Sequence, residues 1–245
     1  MKIIKYKRLS NDKYKVYLDD NQNIILHENI ILKYDLLIKK EITDLNQIIK
    51  DNNNYLVYDI SLKYISTKMR SENELRMYLK KKEIDNKLIN DTINKLKQNG
   101  YINDRQYAKY FIMDKINLNK YGPNKIKTEL LKLKIDKDII EEELQNINKT
   151  DILNNLESII DKSIKSNKSY AGDVLKQRIL SNLINKGYKK EDILNILSTK
   201  DLSNNQLYEK EYTKLYKKYS KKYSEEELDY IIKQKLYLKG FKKNN

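Results

Sequence analysis

Basic side chains, with one tyrosine among them, recur along this sequence where they could contact phosphate groups. Lysine and arginine neutralise the phosphates of nucleic acids, and each neutralised phosphate adds an increment of binding that salt weakens. A repeated stripe of like charge would follow a phosphate backbone or an acidic protein groove. A solvated helix surface is the alternative for each lysine taken singly. The candidates for contact with a partner or with DNA are Arg70, Arg76, Lys80, Lys81, Arg105, Lys109, Lys120, Tyr121, Lys125, Lys127, Arg178, Lys186, Lys189 and Lys190.

Arginine is the more informative part of this signal. Lysine, asparagine, isoleucine and tyrosine are abundant, as in proteins encoded by AT-rich genes, so codon usage explains part of the lysine excess. The chain has only five arginines, and lysine would have served for solubility alone. Four arginines therefore come first among the candidates: Arg70, Arg76, Arg105 and Arg178. We expect charge reversal at Arg70, Arg76 and Arg105 together to weaken partner binding without unfolding the protein.

Tyrosine is the other unusual residue, with 21 copies against two phenylalanines. Most tyrosines fall at apolar positions of predicted helices, where we expect them to pack in the core or at its rim. Tyr121, beside the Gly122–Pro123 turn, is the aromatic contact candidate. The stretch KEYTKLYKKYSKKYS, from Lys210, indicates either an exposed helix or a surface on which bases stack.

Signals for catalysis are weak in every enzyme class that the sequence can test. The glycine-rich phosphate-binding motifs G-x-x-x-x-G-K-[ST] and G-x-G-x-x-G do not occur, and five glycines are too few to build such loops. His27 is the only histidine, and a turn or surface role is the alternative to a role as base or ligand. Glu141, Glu142 and Glu143 cannot all face one ion, because consecutive helical residues point about 100° apart. We expect no catalytic residue, no metal site and no cofactor.

Composition restricts the class of protein further. The formal net charge is +15, which favours an acidic partner such as nucleic acid or an acidic protein surface. Cysteine is absent, which excludes disulfides and thiolate metal sites. The N-terminus has no signal-peptide core, and no apolar run approaches the roughly 20 residues of a membrane span. We expect a soluble, cytoplasmic protein that does not bind membranes.

Two kinds of periodicity divide the chain. Runs rich in β-branched and aromatic residues at 3–9, 13–18 and 23–26, with turn residues between them, predict a three-stranded antiparallel meander. Two short helices, 30–37 and 44–52, are expected to cover one face of it. The polar run 51–54 predicts a break after residue 54 and a domain boundary there. From Tyr55 onward, the pattern is helical throughout.

The helical part repeats. Ile84, Ile135, Tyr188 and Phe241 mark equivalent points 51, 53 and 53 residues apart, with aligned apolar positions on both sides. Ser71 with Glu74 predicts a capping box, and Gly122–Pro123 a helix start. The prediction is a mainly α fold: tandem three-helix repeats forming an elongated curved body, with a small N-terminal β-meander/α domain. The expected domains are 1–54, repeats at 55–103, 104–149 and 150–200, and a truncated fourth repeat at 201–245.

Three segments carry a family resemblance: SENELRMYLKKKEI, GYINDRQYAKYFI and KYGPNKIKTELLKLKI. Their pattern closely resembles the RecX family of recombinase regulators over residues 61–148. The matching positions are Ser71, Glu74, Leu75, Arg76, Gly100, Tyr101, Ile102, Asn103, Asp104, Tyr107, Ala108, Gly122, Ile126 and Leu130. The sequence departs from the pattern at Lys134, where the family often has a glycine before the isoleucine.

The resemblance implies a tandem three-helix fold without catalytic activity. RecX-like proteins bind the RecA filament along its helical groove, restrain strand exchange, ATP hydrolysis and coprotease function, and can touch DNA. We therefore expect an inhibitor of RecA whose partners are the RecA filament and single- or double-stranded DNA, contacted directly or through RecA. We expect the protein to be a monomer.

Two other functions stay open at this stage. The first is a helical-repeat nucleic-acid-binding protein that acts without RecA. Its direct phosphate contacts would make binding steeply salt-dependent, whereas a protein partner would leave a salt-resistant component. The second is a small enzyme with an unrecognised carboxylate site, which turnover of a nucleotide or nucleic acid would reveal.

Overall fold

The computed structural model describes residues 1–203 and 205–241, which fold mainly into helices after a small N-terminal sheet. The strands are β1 (Ile3–Arg8), β2 (Lys13–Leu18) and β3 (Asn23–His27). The helices are α1 (Glu28–Lys33), α2 (Leu36–Lys39), α3 (Leu45–Ser66), α4 (Glu72–Lys81), α5 (Asn86–Gln98), α6 (Asp104–Asn117), α7 (Pro123–Lys132), α8 (Lys137–Gln145), α9 (Lys149–Ser166), α10 (Gly172–Asn185), α11 (Lys190–Ser198), α12 (Asn205–Tyr219) and α13 (Glu225–Leu238). The chain forms two compact units, Met1–Tyr107 and a second that begins at Ala108.

The N-terminal strands form an antiparallel sheet in the order β1-β2-β3, as the alternating pattern predicts. One face of the sheet carries Val16, Leu18 and Leu26, which are almost completely buried. These side chains share a core with Ile30 of α1 and Ile48 of α3. The helices α1 to α3 therefore cover one face of the meander, because a hairpin sheet of this size needs such a layer to be stable.

Helix α3 continues through the polar run in which the sequence predicts a break, so that prediction is wrong. Asn52 is buried because its side chain satisfies the edge of β3. Its amide oxygen accepts the backbone N–H of His27 at 2.8 Å, and its amide nitrogen donates to the carbonyl of Ile25 at 3.1 Å. Asp51 forms an ion pair with Lys33. The boundary placed at residue 54 thus falls inside a helix, and the division of the chain into domains at 54, 103, 149 and 200 remains a prediction.

The tandem repeat is confirmed by the backbone at its four marks. Each mark residue donates its N–H to the carbonyl five residues earlier, and the residue before it has a positive φ. The bonds are Ile84 to Leu79 (3.3 Å), Ile135 to Leu130 (3.2 Å), Tyr188 to Leu183 (3.1 Å) and Phe241 to Leu236 (3.0 Å). The positive φ angles are Glu83 +59°, Lys134 +58°, Gly187 +89° and Gly240 +87°. This is the Schellman arrangement, which ends the middle helix of each repeat in the same way.

The repeats are α4 and α5 with the second half of α3, then α6 to α8, α9 to α11, and α12 with α13. The aligned apolar residues of the middle helices are buried in all four: Leu75, Ile126, Ile179 and Ile232. The predicted fourth repeat extends over 242–245, which lie outside the described residues. Among the helices of 1–203 and 205–241, none is long and apolar enough to cross a membrane.

Candidate partner-binding surfaces

The start of α4 holds a capping box, as predicted. The Ser71 hydroxyl accepts the N–H of Glu74 at 3.1 Å, and the Glu74 carboxylate accepts the N–H of Ser71 at 3.0 Å. These bonds satisfy two backbone donors that the first turn of a helix leaves without partners.

Arg70, directly before this cap, is turned inward. Its guanidinium lies 4.3 Å from the centre of the Tyr64 ring, and its Nη1 is 3.4 Å from a carboxylate oxygen of Glu74. The side chain is only 17% exposed, and its buried Nε has no hydrogen-bond partner in the described part of the chain. Burial, followed by the negative charge of Glu74, raises the pKa of Tyr107 in the same cluster. Arg70 therefore neutralises a carboxylate within the first unit.

Arg76 and Lys127 occupy equivalent repeat positions, and each makes the same kind of contact within its own repeat. Arg76 Nη1 donates to the amide oxygen of Asn90 at 2.6 Å, and Lys127 Nζ donates to Glu141 at 2.8 Å. In both repeats the acceptor lies 14 residues later, on the third helix. The shared position thus joins the middle helix to the third helix of its own repeat.

The third repeat supports this structural role. Its equivalent positions hold Leu180 and Leu194, which pack in one apolar cluster. A polar bridge in two repeats and an apolar contact in the next are alternative ways of joining the same two helices. The recurrence of charge at Arg76 and Lys127 is explained by packing within the repeat.

Glu72 is the centre of a network that sequence reasoning missed. Its carboxylate pairs with Arg76 Nη2 at 3.0 Å and with Lys97 Nζ at 2.9 Å. Burial by itself raises the pKa of Glu72, but the hydrogen bonds and charges of Lys97 and Arg76 outweigh it and hold the pKa below its ordinary value. The backbone N–H of Glu72 donates to the carboxylate of Asp104 at 2.8 Å. Asp104, in the GYIND segment, therefore caps α4 from the start of α6.

The net pKa shift of Asp104 is in the opposite direction to that of Glu72. It is the largest influence on this side chain and raises the pKa of Asp104, against the bond from the Glu72 N–H, which lowers it. A carboxylate at the N-terminus of a helix interacts favourably with the helix dipole. The GYIND segment thus has a structural task in the first unit.

Lys80 and Lys81, at the end of α4, are exposed. Neither forms an ion pair with any residue that the structure describes. Cations in the last turn of a helix interact favourably with its dipole, so this placement also helps α4. Their charges are nevertheless available to a partner.

In the second unit, the structure brings together residues from the second and third repeats. Gly122 N–H donates to the carbonyl of Lys186 at 2.8 Å, and Asn124 N–H donates to the carbonyl of Gly187 at 3.1 Å. The Tyr188 hydroxyl donates to the carbonyl of Lys120 at 3.0 Å. These bonds join segments more than sixty residues apart. Six sequence candidates lie on the two joined segments and form what we call the inter-repeat cluster: Lys120, Tyr121, Lys125, Lys186, Lys189 and Lys190.

The junction depends on glycine. A Cβ on Gly187 would overlap the backbone nitrogen of Lys125 and lie 2.5 Å from its Cβ, and a Cβ on Gly122 would overlap the backbone of Gly187. The same point in the second repeat is Lys134, the departure from the family pattern. Lys134 takes the same left-handed conformation, φ +58°.

Tyr121 lies near two cations, one from the inter-repeat cluster and one from α6. Lys125 Nζ lies 3.8 Å from the ring centre and Lys115 Nζ lies 5.6 Å from it. Lys189 and Lys190 are exposed at the start of α11, where positive charge opposes the helix dipole. The stability of α11 therefore does not explain these two lysines.

The remaining candidates lie elsewhere. Arg178 is exposed on α10, with its guanidinium 4.1 Å from the centre of the Tyr170 ring. Arg105 and Lys109 are exposed one turn apart on α6, and Arg105 also interacts with other groups of the chain. His27 caps α1, its Nδ1 accepting the N–H of Asn29 at 3.2 Å. Over 1–203 and 205–241, no three His, Asp or Glu side chains lie together as metal ligands would.

Two family models match this chain. The RecX first three-helix domain matches residues 58–96, and the RecX second three-helix domain matches residues 103–144. The regulatory protein RecX of Lactococcus lactis is 37% identical over 196 residues, which cover 76% of this chain and 70% of that protein. The chain belongs to the RecX family. The regulatory protein RecX of Bacillus cytotoxicus is 30% identical over 196 residues, covering 78% of this chain and 73% of the relative.

Solved RecX structures share the fold. A crystal structure of regulatory protein RecX superposes with a TM-score of 0.67 at 21% identity, covering 80% of this chain and 98% of that one. The crystal structure of RecX from Lactobacillus salivarius gives a TM-score of 0.57 at 25% identity, covering 61% of this chain and 97% of that one. RecX is a family of regulatory proteins and is not a known enzyme family.

The two matched RecX domains contain Glu72, Arg76 and Asp104 of the Glu72 network, with Lys97 one residue beyond the first match, and they contain the Arg76 and Lys127 bridges. They also contain half of the inter-repeat cluster, namely Lys120, Tyr121 and Lys125. The other half, Lys186, Lys189 and Lys190, lies in the third repeat, beyond the residues that the two family models match.

Proposed function

We propose that this protein regulates RecA as an inhibitor, binding along the groove of the RecA–DNA filament and restraining recombinase, ATPase and coprotease activity. Membership of the RecX family is the observation that supports this proposal. The regulation would act in homologous recombination, in DNA repair and in the SOS response, which depends on the coprotease function of RecA. The protein would act by binding, as a cytoplasmic monomer, and sedimentation at micromolar concentration tests the monomer.

We propose that the contact with the filament uses exposed cations that form no ion pair with any residue the structure describes. In the first unit these are Lys80 and Lys81, and in the second they are Lys189 and Lys190, all exposed. Arg70, Arg76 and Lys127 support the fold through carboxylate and amide partners, so their substitution would change stability as well as binding. Charge reversal at Arg70 and Arg76 is then a poor test of partner contact.

The test measures ATP hydrolysis by RecA on single-stranded DNA as the protein is added. We expect wild-type protein to reduce hydrolysis, and the Lys189→Gln/Lys190→Gln variant to need a concentration roughly twofold to thirtyfold higher, because an exposed ion pair contributes about 0.2–1 kcal/mol. The control is Lys162→Gln/Lys165→Gln, which removes two exposed lysines of α9. If wild-type protein left ATP hydrolysis unchanged, the proposed inhibition of RecA would be refuted. If the Lys189→Gln/Lys190→Gln variant and the control inhibited equally, the proposed contact through Lys189 and Lys190 would be refuted.

A second candidate function is nucleic-acid binding without RecA. The observation that favours it is the partly buried ring of Tyr121, which lies near Lys125 of the inter-repeat cluster and near Lys115 of α6. It predicts equal affinity for bare and RecA-coated single strands, with a steep dependence on salt. Preference for the coated strand, with a component that resists salt, would refute this second candidate.

A further inference from the structure

The N-terminal sheet has a second face, opposite the one that packs on α1 to α3. At one corner of this face, the ring of His27 lies 4.5 Å from the ring of Tyr55 in α3. Residues directly opposite in an antiparallel pair project from the same face of the sheet. Lys7 pairs with Lys15, which pairs with Ile25, and Lys5 pairs with Tyr17. The other face of the sheet carries the buried side chains of Val16 and Leu26. The outer face therefore carries Lys5, Lys7, Lys13, Lys15, Tyr17, Asn23, Ile25 and His27.

This face is basic and contains no carboxylate. Four of its eight side chains are lysines, and within the described chain none of the four forms an ion pair. Lys7 and Lys15 lie directly opposite each other, an arrangement of like charges that destabilises a sheet. The fold therefore carries an electrostatic cost on this face without a carboxylate of the described chain to offset it.

Protection against strand addition explains only part of this pattern. Lysines on an edge strand discourage pairing with another chain, which suits Lys5 and Lys7 on β1. Lys13 and Lys15 lie on β2, the central strand, whose two edges are already paired. Their charge has no edge to protect.

The face also offers flat surface for stacking. The ring of Tyr17 lies on it, with Lys15 Nζ 5.3 Å from the ring centre. Ile25 is 51% exposed beside it, and Ile4, at the irregularity of β1, is 67% exposed. An aromatic ring surrounded by cations on a flat surface is the combination that binds bases and phosphates of single strands.

We propose that the outer face of the N-terminal sheet binds single-stranded nucleic acid, with Lys7 and Lys15 on phosphates and a base on Tyr17. The face lies outside residues 58–144, to which the family models match, and the inference does not require RecA. It adds a contact with the strand itself to the regulatory role proposed above.

The test uses the full chain and a fluorescently labelled thymidine oligonucleotide, without RecA, with binding followed by anisotropy between 50 and 300 mM salt. The variant Lys7→Thr/Lys15→Thr removes the two opposed charges and keeps residues that favour strands. Each phosphate contact on a single strand contributes about 0.7 to the salt slope, so the slope should fall by about 1.4 and the affinity about 25-fold at 0.1 M salt. The variant Tyr17→Val should lose about fivefold or more in affinity with an unchanged slope, because stacking is not a counterion effect.

The control Lys162→Gln/Lys165→Gln has the same net charge as the lysine variant and should change the slope less. Equal losses in the two charge variants would overturn the proposal, and so would tighter binding to the matching duplex than to the single strand. Far-ultraviolet circular dichroism verifies that each variant keeps its fold. Because RecA is absent, a negative result here leaves the ATPase test intact, and failure of the ATPase test leaves this one intact.

Discussion

Replacing Gly187 by alanine should separate two reasons for a glycine at the junction of the second and third repeats. The first reason is its left-handed conformation, φ +89°, which costs a residue with a Cβ about 1–2 kcal/mol. The second is space, because the added Cβ would overlap the backbone nitrogen of Lys125. Overpacking of this kind costs about 1–3 kcal/mol, so the sum is about 2–5 kcal/mol.

Gly100 provides a matched control with the first reason alone. It has φ +74°, and a Cβ there would meet no described atom within 4 Å. Gly100→Ala should therefore lose only about 1–2 kcal/mol. Lys134→Gly, at the equivalent repeat position, should gain about 1 kcal/mol, because it removes the left-handed penalty.

Thermal unfolding followed by circular dichroism measures the difference. For a protein of this size, 1 kcal/mol shifts Tm by about 2–4 °C, so we expect a fall of roughly 2–8 °C for Gly100→Ala and roughly 4–20 °C for Gly187→Ala. If both alanine variants lost the same amount, the close contact between Gly187 and Lys125 would not restrict the site, and the account of the junction would be wrong.

Three further predictions follow from the bonded networks. Burial raises the pKa of Tyr188 to about 12 from 10.0. The contribution of Tyr188 to the free energy of unfolding is therefore complete below pH 10 and is lost as the pH rises to 12. In Tyr188→Phe, the free energy of unfolding should fall by about 1.4 kcal/mol less per pH unit over that range. The pKa of Glu72 is held below 4.5, so its contribution to stability is present above that pH and is lost as acid protonates it. Glu72→Gln should lower the urea midpoint at pH 7, and by progressively less as the pH falls below 4.5. Lys127→Met should lower the free energy of unfolding in urea by less than about 1 kcal/mol, because the ion pair of Lys127 with Glu141 is partly exposed to solvent. A larger loss would show that this ion pair contributes more than a solvent-exposed one.

Much of the fold could be predicted from the sequence because its signals are local. The capping box at Ser71, the Gly122–Pro123 start and the repeat marks depend on residues within about one helical turn. The predicted break in α3 failed because Asn52, polar by type, is satisfied by the distant edge of β3. No local pattern shows that partner.

The candidate surface was predicted only in part. The residue types that could contact phosphates are visible in the sequence, but whether a cation is free or bound is decided by what lies near it. Arg76 and Lys127 are candidates by residue type, and their acceptors Asn90 and Glu141 each lie 14 residues later, a shared spacing that the sequence does contain. The Arg70–Glu74 pair has the i,i+4 spacing of a helical ion pair, which is visible in the sequence. The pair of Lys97 with Glu72, 25 residues apart, has no comparable signal.

The sequence by itself determined the helical repeat, its periodic core and the family resemblance, because helix periodicity and capping act over a few residues. Only the tertiary structure decided which charges face outward and which segments meet. The bonds that join Lys120 and Gly122 to the 186–188 turn connect residues more than sixty positions apart, and the outer face of the sheet is set by the helices that cover the other. Contacts of that kind depend on distance in space, which the order of residues along the chain does not record.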